Sequence, residues 1–214
     1  MSGWQDISVP IRSGMVHWPG DPEIEVRHMS RMKEGAMCNV TALKMGTHTG
    51  THMDAPLHFV DDGATMDSLD FDAVIGPARV VEILNEKAVT LQELSRHDLK
   101  RGERILLKTV NSTIAWSDED RFHEDYVYIA EDAARLMVEA GIAMVGIDYL
   151  SVGGFHHDMV ETHETLLKGG VWILEGIQLK GVSGGDYDLC CLPIRTEGAE
   201  GAPARAVIRR RATS

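Results

Sequence analysis

A chain of 214 residues, 43% hydrophobic and 25% charged, carries enough apolar side chain for one core, since single cores grow to roughly 250 residues; the composition excludes a disordered or collagen-like chain. The formal net charge of −12 excludes nucleic acid as the main partner, because phosphate binding needs a surplus of Lys and Arg, and the RRR run at Arg209 to Arg211 reads as a solvated, mobile tail. No stretch approaches the roughly 18 apolar residues of a membrane span and MSGWQDISVPIRSG lacks the pattern of a signal peptide, so the expectation is one domain over residues 1–214, in the cytoplasm.

Strands are read from apolar and β-branched runs, helices from their end signals. DISVPI (6–11) opens the chain as a strand, and the turn-forming stretches RSG and PGD then flank Trp18, a setting less suited to a core ring than a strand is. EIEVRHM (23–29) and NVTALKM (39–45) are the next strands, followed by a histidine-rich stretch and then ARVVEIL (78–84). TLQELSRHDL (90–99) is a candidate helix in which Thr90 and Glu93 have capping-box spacing. RILLKTV (104–110) is a strand. EDAARLMVEAG (131–141) is a helix with Ala134, Met137 and Val138 on one face and Gly141 placed as a left-handed terminator, and it runs straight into the strand IAMVGID (142–148). His156 and His157 read as two solvated loop histidines. A shorter helix, MVETHETLLKGG (159–170), closed by Gly169 and Gly170, precedes the strands VWILEGI (171–177), DLCCLPI (188–194) and ARAVIRR (204–210). The three cysteines, Cys38, Cys190 and Cys191, are odd in number and two are sequence neighbours, so reduced side chains are expected, buried in the strand for that pair. Strands and helices interleave throughout, which makes the chain mixed α/β, with sheets packed on helices.

Chemistry concentrates in KMGTHTGTHMDAPLHF. Gly50, Pro56 and the β-branched threonines oppose a regular helix there, and in an extended chain the even-numbered His48, His52, Asp54 and His58 share one side. Gly46 and Gly50 fall on the same side and leave room, while Pro56 turns the chain before His58. Neutral imidazoles with a carboxylate are a donor set for a catalytic zinc or manganese that keeps a position open for water.

The segment HTGTHMDAPLH resembles the signature of the cyclase family that includes bacterial kynurenine formamidases. The likeness continues through WQDISVPI, WPGD, GPARVVEI, THETLLKGGVWILEGIQL, GDYDLCCLPI and GAPARAVIRR. It implies a mixed-sheet swivelling β/β/α domain, a homodimer or higher homo-oligomer, a small-molecule substrate, and two divalent metal ions per chain, zinc ahead of manganese. His48, His52 and Asp54 match the family's first metal ligands, with Asp54 reaching the second ion too; His163 matches a ligand of the second ion, and Glu175 a carboxylate joining both. His58 matches the catalytic acid/base and Trp18 an aromatic substrate contact. His163 and Glu175 rest on the resemblance alone.

The implied reaction is hydrolysis of an aryl formamide, N-formylkynurenine to kynurenine and formate in tryptophan breakdown. Opening of a cyclic amide, imide or lactone, as isatin hydrolases perform, is the alternative within catalysis. A metal-stabilised binding protein without turnover is a third reading, against which the extra base His58 weighs. The family's Thr-Arg and Ser-Val-Asp-Pro elements are replaced here by LLKTVNSTIAWSDEDRF and DYLSVGGFHHDMVETH, which bears on the substrate pocket more than on the metal chemistry.

Overall fold

A computed structural model describes residues 3–113, 116–119 and 121–211. Met1 and Ser2 of the segment read for a signal peptide, and Ile114, Ala115 and Asp120 of the KTVNSTIAWSDEDRF stretch, lie outside the described residues. The strands are β1 (Gln5–Asp6), β2 (Glu25–Ser30), β3 (Val40–Lys44), β4 (His52–Asp54), β5 (Ile75–Glu82), β6 (Ala88–Val89), β7 (Arg104–Lys108), β8 (Tyr128–Ile129), β9 (Met144–Ile147), β10 (Trp172–Glu175), β11 (Gly185–Pro193) and β12 (Gly201–Arg210). The helices are α1 (Phe71–Val74), α2 (Leu91–Leu94), α3 (Glu131–Ala140) and α4 (Met159–Lys168).

The main sheet runs β1-β12-β11-β5-β7-β9-β10-β4, and β4 pairs again with β12, so the strands from β12 round to β4 close on themselves like a barrel. Neighbours among β5, β7, β9 and β10 are parallel, the others antiparallel. The mixed α/β expectation holds, and strand alternation explains the layers. Met53, Val80, Leu106, Met144, Leu174, Leu189 and Ala206 come from every strand of the closed sheet and fill one core. Ile105, Leu107, Val145, Ile147 and Ile173 point the other way and pack on Ala133, Ala134 and Met137 of α3 and Leu166 of α4. A third cluster, built round Trp116, Tyr126 and Tyr149, lies beneath the loops and receives Trp18, Phe122 and Phe155.

α3 ends at Gly141 in the left-handed region (φ 71), as its sequence predicts. The helix over TLQELSRHDL is shorter than expected, a single turn at Leu91–Leu94. Thr90 caps it by accepting from the Glu93 N–H, but the buried Glu93 carboxylate takes the backbone N–H groups of Leu84 and Asn85 and does not close the capping box. Of the expected DISVPI strand only Asp6 falls in a strand, β1 (Gln5–Asp6), and Ser8 makes an isolated bridge to Ile177. Arg209 to Arg211 do not form a solvated tail. Arg209 and Arg210 sit in β12 opposite Asp188 and Tyr187; Arg209 reaches Asp188 at 2.8 Å, Arg210 donates to Tyr187 at 3.1 Å, and the Arg211 N–H bonds the Asp186 carbonyl at 3.0 Å. The cysteines are free thiols, with Cys191 buried, Cys190 half-buried and Cys38 exposed. No described helix is long and apolar enough to cross a membrane.

Candidate metal centre

β4 is three residues long and lies between β10 and β12, with His52 opposite Glu175 and Asp54 opposite Gly201. Alternation sends Met53 into the closed core and His52 and Asp54 to the outer face, where Glu175 is the cross-strand neighbour of His52. Only His52–Asp54 of the His48–His58 segment forms a strand. His48 is brought in by a turn through Gly50 (φ 63), where a side chain would lie 2.9 Å from Ile11. Thr51 fixes that turn by donating to the Gly176 carbonyl at 2.6 Å. His58 is brought in by a 3-10 turn, Pro56–His58, with proline at its start. α4 lies over the same face and supplies His163. The sequence therefore placed the four even-numbered residues together correctly, but regular alternation accounts for only His52 and Asp54.

Two imidazoles are oriented in the same way. His52 Nδ1–H donates to the Gly50 carbonyl at 2.9 Å and His163 Nδ1–H to the Met159 carbonyl at 2.6 Å. When the ring is neutral, each Nε2 lone pair is left facing carboxylates: His52 Nε2 lies 3.1 Å from Glu175 and 3.4 Å from Asp54, His163 Nε2 3.3 Å from Glu175 and 3.9 Å from Asp54. All four side chains are buried. Acceptors that converge in a dry site repel unless a cation lies among them, and His52 Nε2 and Asp54 Oδ2 are buried without a hydrogen-bond partner. The donor set thus fits a divalent metal. Among the described residues, donor atoms lie close enough to share an ion in two groups, His48 with Asp54 and His58, and His52 with Asp54 and Glu175; Asp54 belongs to both.

Without a cation, protons must do the neutralising. Burial opposes charge on His48, but Asp54, 2.9 Å away, outweighs it with help from Glu175 and Glu200 and pushes the imidazole up to about 9. Burial also works against Asp54, yet His48, His52 and His58 hold its carboxyl well below the usual carboxylate range. For His163 the Glu175 carboxylate overcomes burial and raises it, and Glu175 is lowered by His163 and His52 against burial and the Asp54 charge. His58 goes the other way. Burial depresses it, Asp54 pulls upward, and the His48 and His163 imidazoles push it down again, to about 4. His58 stacks on His48 with ring centroids 3.9 Å apart, so a positive charge on one ring opposes one on the other.

A cavity of about 280 Å³ opens over the donor cluster, walled by Trp18, Phe59, Leu150 and Met159. Trp18 rests on Phe122 and Phe155, and Phe59 stacks on His163 at 4.2 Å. All seven candidate site residues are brought to this one place. His156 and His157 are not: His156 pairs with Glu124 at 3.0 Å and His157 stacks on Tyr128. Phe59, Thr47 and Glu200 went unread, the first because an aromatic beside a histidine reads as core, the last because a glutamate in a polar turn carries no signal.

Residues 5–153 match the family described as putative cyclase. A kynurenine formamidase of Bacillus cereus is 37% identical over 208 residues, covering 97% of this chain and 98% of that protein. A kynurenine formamidase of Geobacillus thermodenitrificans is 37% identical over 210 residues, covering 98% and 99%. Among solved structures, a potential metal-dependent hydrolase with cyclase activity superposes with a TM-score of 0.85 at 32% identity over 99% of both chains. Isatin hydrolase A from Labrenzia aggregata gives 0.82 over 97% of this chain and 93% of its own, a likeness of fold at 17% identity. Fold and donor set together define a metal-dependent hydrolase. The chain belongs to the putative cyclase family.

Proposed function

We propose that the protein is an arylformamidase that hydrolyses N-formylkynurenine to kynurenine and formate, and that His48, His52, Asp54, His163 and Glu175 hold two divalent ions, zinc ahead of manganese. One observation carries the reading: the donor cluster lines a cavity whose apolar wall includes two aromatic rings, Trp18 and Phe59. Relatives named for this activity, matched over nearly the whole chain, support it. Imidazole and carboxylate donors suit zinc and manganese alike.

Divalent ions held by His48, His52, Asp54, His163 and Glu175 would supply an activated water and polarise the amide carbonyl. The chain's own residues do the rest. Trp18 and Phe59 seat the aryl ring and exclude water from its faces. Asp54 and Glu175 balance the positive charge beneath. Unprotonated at neutral pH, His58 accepts the proton of the attacking water on a ring nitrogen and delivers it to the departing nitrogen as the C–N bond breaks, giving formate and the free arylamine.

Turnover of formyl-anilides, isatin and lactones tests the reaction: aryl formamides should be the best substrates. Faster opening of isatin or a lactone would replace this reading with the cyclic one, and no turnover of any would leave a binding protein. Trp18→Ala should raise KM for an aromatic formamide roughly 2- to 13-fold more than for an aliphatic one, the equivalent of about 0.5 to 1.5 kcal/mol of stacking, with kcat little changed. Equal losses on both, with a lower melting temperature, would make Trp18 a residue that only pins its loop.

We also assign the chain to a homodimer or higher homo-oligomer, acting in the cytoplasm, where its free thiols stay reduced. The β2–β3 hairpin supports the assembly. Eight of its eleven strand side chains are exposed, Met29 and Leu43 among them, and in the connecting loop Met32 is exposed and Met37 is 98% exposed. A two-stranded ribbon is marginal in water unless something covers it. Light scattering should give at least twice the chain mass, falling towards the monomer in Met37→Glu/Leu43→Glu; a monomeric wild type would overturn the assignment.

A further inference from the structure

Asp54 accounts for one nitrogen of His48 but leaves the other unexplained. Nδ1 faces Asp54 Oδ1 at 2.9 Å, whereas Nε2 is buried without a hydrogen-bond partner, and a carboxylate oxygen, Glu200 Oε1, lies 3.5 Å away. That oxygen is held in place, because Thr47, the residue before His48, donates its hydroxyl to it at 2.6 Å. The Glu200 main chain grips the other side of the site: its carbonyl accepts from the Ala55 N–H at 2.8 Å, just before the turn that carries His58. The next residue, Gly201, completes the socket. A Cβ there would lie 2.6 Å from His48 Cε1 and 2.9 Å from His48 Nε2, so glycine is what lets the ring lie against β12.

We propose that Glu200 is a positioning residue for the metal centre: a carboxylate anchored by Thr47 that receives the Nε2–H of His48 and so commits Nδ1, the nitrogen beside Asp54, to the metal. This rests on the reading of His48 as a ligand. His52 and His163 have their outer nitrogens fixed by backbone carbonyls, at Gly50 and Met159. His48 lies in a turn where no carbonyl plays that part, and the Glu200 side chain takes it over. An outer partner of this kind fixes the tautomer and ring orientation and raises the basicity of the ligand. Because Glu200 reaches both arms that flank β4, it sets His48 by its side chain and the His58 turn by its main chain.

The test uses the full chain and zinc or manganese alone, with affinity measured by chelator competition. Glu200→Ala should bind metal about 10- to 100-fold more weakly. Glu200→Gln, which keeps an acceptor and loses the charge, should fall between Ala and wild type, and Thr47→Val should shift affinity the same way by less. The melting temperature of the metal-free protein should stay close to wild type, since the Glu200 side chain is 39% exposed. Nitrogen-15 imidazole spectra of the metal-loaded protein should show His48 protonated on Nε2 and ligating through Nδ1. Wild-type affinity in both Glu200 variants, affinity unchanged with a fall in melting temperature, or a His48 that ligates through Nε2 would each overturn the proposal. A wild type that binds no metal would instead bring down the metal reading on which it rests.

Discussion

Asp54→Ala should strip the protein of most of its metal. Wild-type chain purified without chelator should carry two divalent ions by elemental analysis, and the variant less than one even after metal is added back. Asp54 is fully buried and belongs to both groups of donors close enough to share an ion. Removing an outer partner of a ligand costs about 10- to 100-fold in affinity, so loss of a carboxylate that would serve both proposed ions should cost more than that. Asp54→Asn separates charge from shape: the amide keeps the volume opposite Gly201, and metal loss there too shows that the negative charge is what matters. A wild type that stays near one ion per chain would end the two-ion assignment, and an Asp54→Ala that keeps both would remove Asp54 from it. Acid should act in the same direction. His48 is pushed up to about 9 in the metal-free protein, so an ion must displace a proton from it at neutral pH, and affinity weakens as pH falls.

The parts of this site that could be read in the sequence are those written in local spacing. His52 and Asp54 are two apart on one strand, and period two alone puts them on one face. His48 and His58 were placed by the same rule, yet turns bring them in, through a glycine at φ 63 and a proline-led 3-10 turn; the even spacing coincided with the answer without causing it. His163 and Glu175 could not be reached from spacing. Glu175 meets His52 through the pairing of β10 with β4, a register between strands about 120 residues apart that no local pattern encodes. It took the resemblance to a family to name them. The helices show the same limit. α3 carried its own stop signal at Gly141, whereas the expected helix after Thr90 was cut to one turn because Glu93 found partners in the preceding loop. The RRR run looked like a tail because the charge that pairs Arg209 and Arg211, Asp188, lies on another strand.

His58→Ala should keep near-normal metal and lose on the order of 10² to 10⁴ in turnover, the usual contribution of a placed acid/base. The geometry makes this a real test, because His58 lies close enough to His48 and Asp54 to share an ion with them. Two features argue for proton transfer over ligation. The ring stacks on His48, face to face at 3.9 Å, and the cavity that Trp18 and Phe59 help to wall opens beside it. Its depression to about 4 also sets the role: the ring is neutral at pH 7, ready to accept a proton, and gains acid strength once it carries one. The sign for the pH profile follows. A base must be unprotonated to begin, so an unperturbed histidine would lose activity as pH falls through about 6.5, whereas His58 should keep kcat/KM level past pH 6 when metal is saturating. Elemental analysis of His58→Ala beside its kcat decides between the roles. If metal content drops with activity, His58 is a ligand and the proton carrier must be sought elsewhere along the cavity; if metal stays and turnover falls less than tenfold, it is neither.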